Sequence, residues 1–77
     1  MVQLAWLEAV ELGGEGPPQY VRIAQAVEEA IRAGRLHRGA RLPGTRSLAK
    51  ALGVHRNTVV AAFDELRAQG WITTRPA

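Results

Sequence analysis

The sequence predicts a mostly α-helical domain organised around two helices that meet at a sharp turn, and three observations carry that expectation. Apolar residues recur at helical intervals in three stretches, the first around Ile23 and Val27, the second around Leu48 and Leu52, the third around Val59 and Leu66. Gly53 separates the second stretch from the third, and a residue without a Cβ adopts the left-handed conformation that ends a helix and opens a tight turn. Ala49 stands four residues before that glycine and Val59 six residues after it, so a small side chain lets the helices approach and a branched one fills their angle. That spacing is the signature of a helix-turn-helix.

A chain of 77 residues holds one domain, near the lower limit at which a hydrophobic core alone sustains a fold. With only Trp6, Tyr20, Phe63 and Trp71 as aromatics, that core must be built from Leu, Val, Ile and Ala. No cysteine is present, which excludes disulfides, thiolate metal sites and a cysteine nucleophile, and is compatible with a reducing cytoplasm. No apolar run approaches the roughly 18 residues needed to cross a bilayer, so a soluble, cytoplasmic chain is expected. The net charge of +3 conceals a split. Residues 1–30 carry five glutamates against Arg22, net −4, whereas residues 31–77 carry nine Lys and Arg against Asp64 and Glu65, net +7. Positive charge therefore gathers on the two-helix unit, as a nucleic-acid face requires.

Taken in order, residues 1–12 read as an extended segment, since Val2, Leu4, Trp6, Val10 and Leu12 alternate as in a strand, although Leu4, Leu7, Glu8 and Glu11 also fit helical spacing. Gly13, Gly14, Gly16, Pro17 and Pro18 then break the chain into a short linker, so that residues 1–16 precede a domain over 17–77. The first helix is expected over 18–33, with Tyr20, Ile23, Ala24, Val27, Ala30 and Ile31 on its apolar stripe, proline in its first turn and Gly34 as its stop. The turn-rich stretch that follows supplies Leu36 and Leu42 as plugs for the core, with a short strand expected near Arg41 and Leu42. The second helix should run from Thr45 to Leu52 with Gly44 as its N-cap, facing inward through Leu48, Ala49 and Leu52. The third follows a turn over Gly53 to His55, buries Val59, Ala62, Phe63 and Leu66, exposes Asn57, Val60, Ala61, Asp64 and Arg67, and ends at Gly70 after about fifteen residues. Trp71, Ile72, Thr73 and Thr74 are aromatic or β-branched and read as a strand leaving that helix, one half of a wing whose return strand would lie beyond Ala77. Phe63, Trp71 and Tyr20 all fall on apolar stripes and are expected in the core.

The stretches PPQYVRIAQAVEEAI, GRLHRGARLPGTRSLAKALGV and HRNTVVAAFDELRAQGWI together resemble the N-terminal domain of the GntR family of bacterial transcription regulators, over about residues 17–75. The resemblance implies a winged helix-turn-helix. The run from Arg56 to Val60 followed by Ala62 and Phe63 is most similar to the MocR subgroup, whose full-length members carry an aminotransferase-like domain that binds pyridoxal phosphate. No cofactor is expected in this chain, because its only lysine is Lys50, inside the two-helix unit. Three positions depart from the family pattern: Gly44 replaces the usual Ser, His55 the usual Ser or Thr, and Val60 an Arg found in many members. In resembling proteins, pairing into a homodimer comes mainly from the C-terminal domain.

The third helix is the candidate reader of the major groove, where each base pair shows its own pattern of donors, acceptors and methyl groups. Arg56 is placed to fork onto guanine O6 and N7, and Asn57 to bond adenine or a phosphate or else to help cap the helix. Thr58 and His55 have two roles open to each, contact with a phosphate or capping of the helix. By resemblance, Arg46 on the second helix reaches the same groove or its flanking phosphate, and Lys50 one turn on is a phosphate contact or a solvated charge. Val60 is left with a thymine methyl. Against these stand two rival functions, a winged-helix module for protein contacts and an RNA-binding module, the latter disfavoured because the narrow A-form major groove excludes a helix. An enzyme is more distant still. Ser47 has no His and Asp constellation, His37 and His55 lack a carboxylate partner for a metal, and no GxxxxGK loop occurs.

Overall fold

A computed structural model describes residues 12–37, 42 and 44–72 and contains three helices: α1 (Gln19–Arg32), α2 (Thr45–Leu52) and α3 (Arg56–Ala68). Their order and character are those the periodicity predicts, and α2 has the predicted bounds. α1 starts at Gln19 because Pro18 is its N-cap, whose carbonyl accepts from the amides of Val21 at 3.0 Å and Arg22 at 3.2 Å. α3 has 13 residues, two fewer than expected, with Gln69 as its C-cap.

All three helices end in the same way. In α2, the amide of Val54 donates to the carbonyl of Ala49 at 3.0 Å and that of Gly53 to Lys50 at 3.3 Å, with Gly53 at φ 71° and ψ 33°. This paired closure needs a left-handed residue just past the helix, a conformation costly for any residue with a Cβ. Gly34 and Gly70 occupy the equivalent position after α1 and α3, where Arg35 donates to Ala30 at 2.8 Å and Trp71 to Leu66 at 2.9 Å. The consequence is topological: each helix turns its following residues back towards the core, delivering Leu36, Val54 and Ile72 to it.

α3 packs against both α1 and α2. The centre is apolar throughout, with Ile23, Val27 and Ala30 from α1, Leu48 and Ala49 from α2, and Val59, Ala62, Phe63 and Leu66 from α3. Ile23, Val27, Val59 and Ala62 are fully shielded, and no described polar or charged residue is buried with them. Removing such surface from water is the main term that holds a small domain together. Ala49 and Val59 are both buried, the small and the branched side chain that the turn spacing calls for.

Two core expectations need correction. Tyr20 is 36% exposed: in the first turn of α1 it lies alongside α3 between two open grooves, so its ring is left partly in solvent. Trp71 is half-buried: its indole lies beneath the Arg32 guanidinium, 5.5 Å from the ring centroid, and its Nε1 donates to Gln69 Oε1 at 3.2 Å. Val60 and Ala61, expected outside, are half-buried too. Of the two expected strands only Leu42 and Trp71–Ile72 fall among the described residues; Arg41, Thr73 and Thr74, like residues 1–11, lie outside them.

The glycine- and proline-rich segment is more than a spacer. Arg22 reaches back from α1 to donate to the carbonyls of Gly13 at 2.8 Å and Glu15 at 2.9 Å, and Gln19 Nε2 lies 3.4 Å from the carbonyl of Leu12. Leu12 packs against the core at the end of this strap. Gly16 makes the close approach workable, since a Cβ there would sit 2.6 Å from the Arg22 guanidinium.

Candidate nucleic-acid interface

The turn from Gly53 to His55 lets α3 leave α2 at a bend, and the residues that open α3 face solvent. His55 holds extended backbone at φ −67° and ψ 144° as the N-cap, but its side chain makes no capping hydrogen bond. Gly44 has no side chain to offer α2. Both helices therefore begin with amides that lack a side-chain partner, a local field favourable to anions. Of the two roles open to His55, the capping one is not taken up.

His55, Arg56 and Asn57 are exposed and Thr58 is half-exposed. On α2, Arg46 and Lys50 are exposed and four residues apart, hence on one face of the helix. Val60 is partly covered beside them in sequence, with less surface to present than the sequence expectation gave it.

The arrangement of charge sorts the cations into two groups. Arg32 bonds Glu28 at 3.0 Å, Arg67 bonds Asp64 at 3.0 Å, and Arg22 is engaged with the strap carbonyls. Among the described residues, Arg35, Arg46, Lys50 and Arg56 have no carboxylate or other side-chain hydrogen-bonding partner within the chain; Arg35 follows α1, and the other three lie on the helix-turn-helix. The described carboxylates explain this: Glu15, Glu28, Glu29, Asp64 and Glu65 stand on the strap, on α1 and in the second half of α3, and none is on α2 or at the start of α3. Exposed ion pairs such as Arg32 with Glu28 contribute little to stability. Their position matters more, because it leaves the cations of the helix-turn-helix without a described carboxylate to neutralise them.

Beside this face runs a shallow groove of about 340 Å³, lined by Pro18, Gln19 and Tyr20 of the α1 start and by Asn57, Thr58 and Ala61 of α3. Sequence reasoning did not place Gln19 or Tyr20 near the site. Tyr20 sits three and four residues before Ile23 and Ala24, so helical spacing alone assigns it to the buried stripe; only the crossing of α1 over α3 shows where that stripe ends. Among the described residues no group of His, Asp or Glu is placed to hold a metal ion, and no helix is long and apolar enough to cross a membrane.

The pattern of the family described as "Bacterial regulatory proteins, gntR family" matches residues 19–77. The chain is 44% identical over 63 residues to the HTH-type transcriptional regulator TauR of Rhodobacter capsulatus, a match covering 82% of this chain and 13% of that protein. It is 37% identical over 70 residues to the HTH-type transcriptional regulator GgaR of Escherichia coli, covering 91% and 28%. It is 40% identical over 58 residues to the probable rhizopine catabolism regulatory protein MocR of Rhizobium meliloti, covering 75% and 12%. Among solved structures it resembles YtrA from Sulfolobus acidocaldarius, a GntR-family transcription factor, with a TM-score of 0.80 at 34% identity over 86% of this chain and 71% of that one. The chain thus spans well under a third of the length of these curated relatives.

Proposed function

Because the chain belongs to the gntR family of bacterial regulatory proteins and carries its helix-turn-helix, we propose that α3 lies in the major groove of duplex DNA and reads it with named side chains. Arg56 forks onto guanine, Arg46 contacts the same groove or its flanking phosphate, and Asn57 bonds adenine or a phosphate. Lys50, His55 and Thr58 hold phosphates, and Val60 touches a thymine methyl. The observation that carries the reading is the placement of charge: Arg46, Lys50 and Arg56, exposed and without an internal partner, lie on a face with no described carboxylate, whereas Arg22, Arg32 and Arg67 are engaged within the fold.

Phosphate contacts supply affinity and base contacts supply preference. Selecting bound duplexes from a random library would define the preferred site. Against it, Arg56→Ala should lose about 1–3 kcal/mol of discrimination at one guanine, while Lys50→Ala should weaken selected and random duplexes alike. Equal losses on both duplexes for Arg56→Ala would count against base reading. Loss of neither, with capture of a protein partner through α3 instead, would favour the interaction-module reading.

The activity proposed here is binding, with no chemical step, and it belongs in the cytoplasm where the chromosome lies. Regulation of transcription, pairing into a homodimer and, for a MocR-like protein, pyridoxal phosphate binding would fall to parts of the relatives that this chain does not span. Lys50, the single lysine, is exposed on α2 and is better used on a phosphate.

A further inference from the structure

We infer that the groove between the first turns of α1 and α3 seats the sugar-phosphate backbone of one DNA strand, with the Tyr20 hydroxyl donating to a phosphate oxygen. This rests on the proposed reading of DNA by α3. Asn57 and Thr58 belong both to the reading turn and to the wall of the groove, so a duplex engaged by α3 continues directly into it. The walls of a major groove are the two phosphate backbones, and what lies beside a helix inserted there meets one of them.

The lining fits that occupant. Every polar side chain in the groove (Gln19, Tyr20, Asn57 and Thr58) is uncharged and none is a carboxylate. A second groove on the other side of Tyr20, about 210 Å³ and also between α1 and α3, is lined by Glu28 and Glu65 and would repel a phosphate. Tyr20 lines both, so its ring is the ridge between a face that accepts a polyanion and one that does not. It is also the only large apolar side chain exposed among the described residues, and its hydroxyl has no partner there. Gln19 is turned to the strap instead, its amide on the Leu12 carbonyl.

The test uses the 77-residue chain with two fluorescein-labelled duplexes, one selected from a random library on this chain and one of random sequence, read by anisotropy. Tyr20→Phe keeps the ring and removes only the hydroxyl, and its unfolding midpoint should match that of the parent. It should weaken both duplexes equally, by about three- to ten-fold for one hydrogen bond. The dependence of log K on log salt should keep its slope, because a neutral hydroxyl displaces no cation. Placing single methylphosphonates along the selected duplex should reveal one position that weakens the parent and leaves Tyr20→Phe unchanged. Parent-like binding by Tyr20→Phe, a loss confined to the selected duplex, or no such phosphate position would overturn the inference. If Arg56→Ala still relaxes base preference in that event, the reading of DNA by α3 stands without the groove; if it does not, both fall.

Discussion

Replacing Gly53 with alanine separates backbone strain from packing at the turn on which the helix-turn-helix depends. At φ 71° and ψ 33° the position is left-handed, and a Cβ built there meets no heavy atom within 4 Å. No clash is created, so the cost is conformational alone. An L-residue with a Cβ in that region costs about 1–2 kcal/mol. Against this, alanine narrows the unfolded ensemble, which returns about 0.4–1 kcal/mol. The net expectation is a loss of about 1 kcal/mol, or a Tm lower by roughly 4–8 °C for a domain of this size. Thermal and urea unfolding followed by circular dichroism would measure it. Gly13→Ala is the control, since its φ lies outside the left-handed region, a Cβ there also meets nothing, and its carbonyl can still accept from Arg22. That variant should be neutral or slightly more stable. If Gly53→Ala matched Gly13→Ala, the left-handed closure would not be the reason for glycine at the turn; a loss above about 3 kcal/mol would mean a steric conflict that the open space excludes.

Other substitutions test other parts of the scheme. Leu66→Ala should cost about 2–5 kcal/mol, much of the stability of so small a domain, and leave a largely unfolded chain by near-ultraviolet circular dichroism. Gly44→Ser supplies the side-chain cap that α2 lacks and should raise the unfolding free energy measured in urea by a few tenths of a kcal/mol, about the usual difference between Ser and Gly at an N-cap. Gly16→Ala should push the Arg22 guanidinium off the Glu15 carbonyl, shifting the Arg22 side-chain NMR resonances while the amides of the α3 core stay protected. Arg46→Ala and Lys50→Ala together should lower the salt slope of DNA binding by up to about 1.8, roughly 0.9 for each phosphate neutralised.

What the sequence made legible follows from how local each signal is. The bounds of α2 were readable because Pro43 and Gly53 flank Gly44 and the eight helical residues with local consequences: one disfavours helix at its predecessor, the other closes it. The buried faces of α1 and α3 were readable because a helical period is a property of the chain itself, and Ile23, Val27, Val59 and Leu66 keep to it. Tyr20 was misplaced because periodicity marks a stripe without saying how closely the neighbouring helix covers each position on it; Trp71 does pack against the core, but only half-buried. Arg22 was assigned to the solvated face, correctly as to side, but its grip on two carbonyls nine and seven residues back depends on a fold-back of the Gly-Pro segment that no spacing rule records. In the site, the identity of the cations could be read from sequence. Which of them are already neutralised is a three-dimensional fact.

That fact bears on how the domain divides its work. Arg32 serves the fold twice over, bonding Glu28 and covering Trp71, and so helps to hold the residue that follows the closure of α3. Arg67 and Asp64 neutralise each other on the second half of α3, where Glu65 leaves a net charge of −1, so one helix carries an acidic half and a cationic half. A duplex approaching the domain meets the unpaired Arg46, Lys50 and Arg56 at the end where α3 can enter a groove, while the long-range field of the paired ions largely cancels beyond about one Debye length, near 8–10 Å at physiological salt. The pairs thus orient the encounter while adding little to stability. Arg67→Ala would accordingly leave the melting temperature almost unchanged, as an exposed pair is worth about 0–1 kcal/mol. Its effect should appear in the association rate: Asp64, freed of its partner, would place a bare negative charge two turns from Asn57 and slow the approach of DNA at low salt, a difference that stopped-flow anisotropy would show and that added salt should erase. An association rate equal to the parent's at low salt would mean that the pairing on α3 has no part in steering.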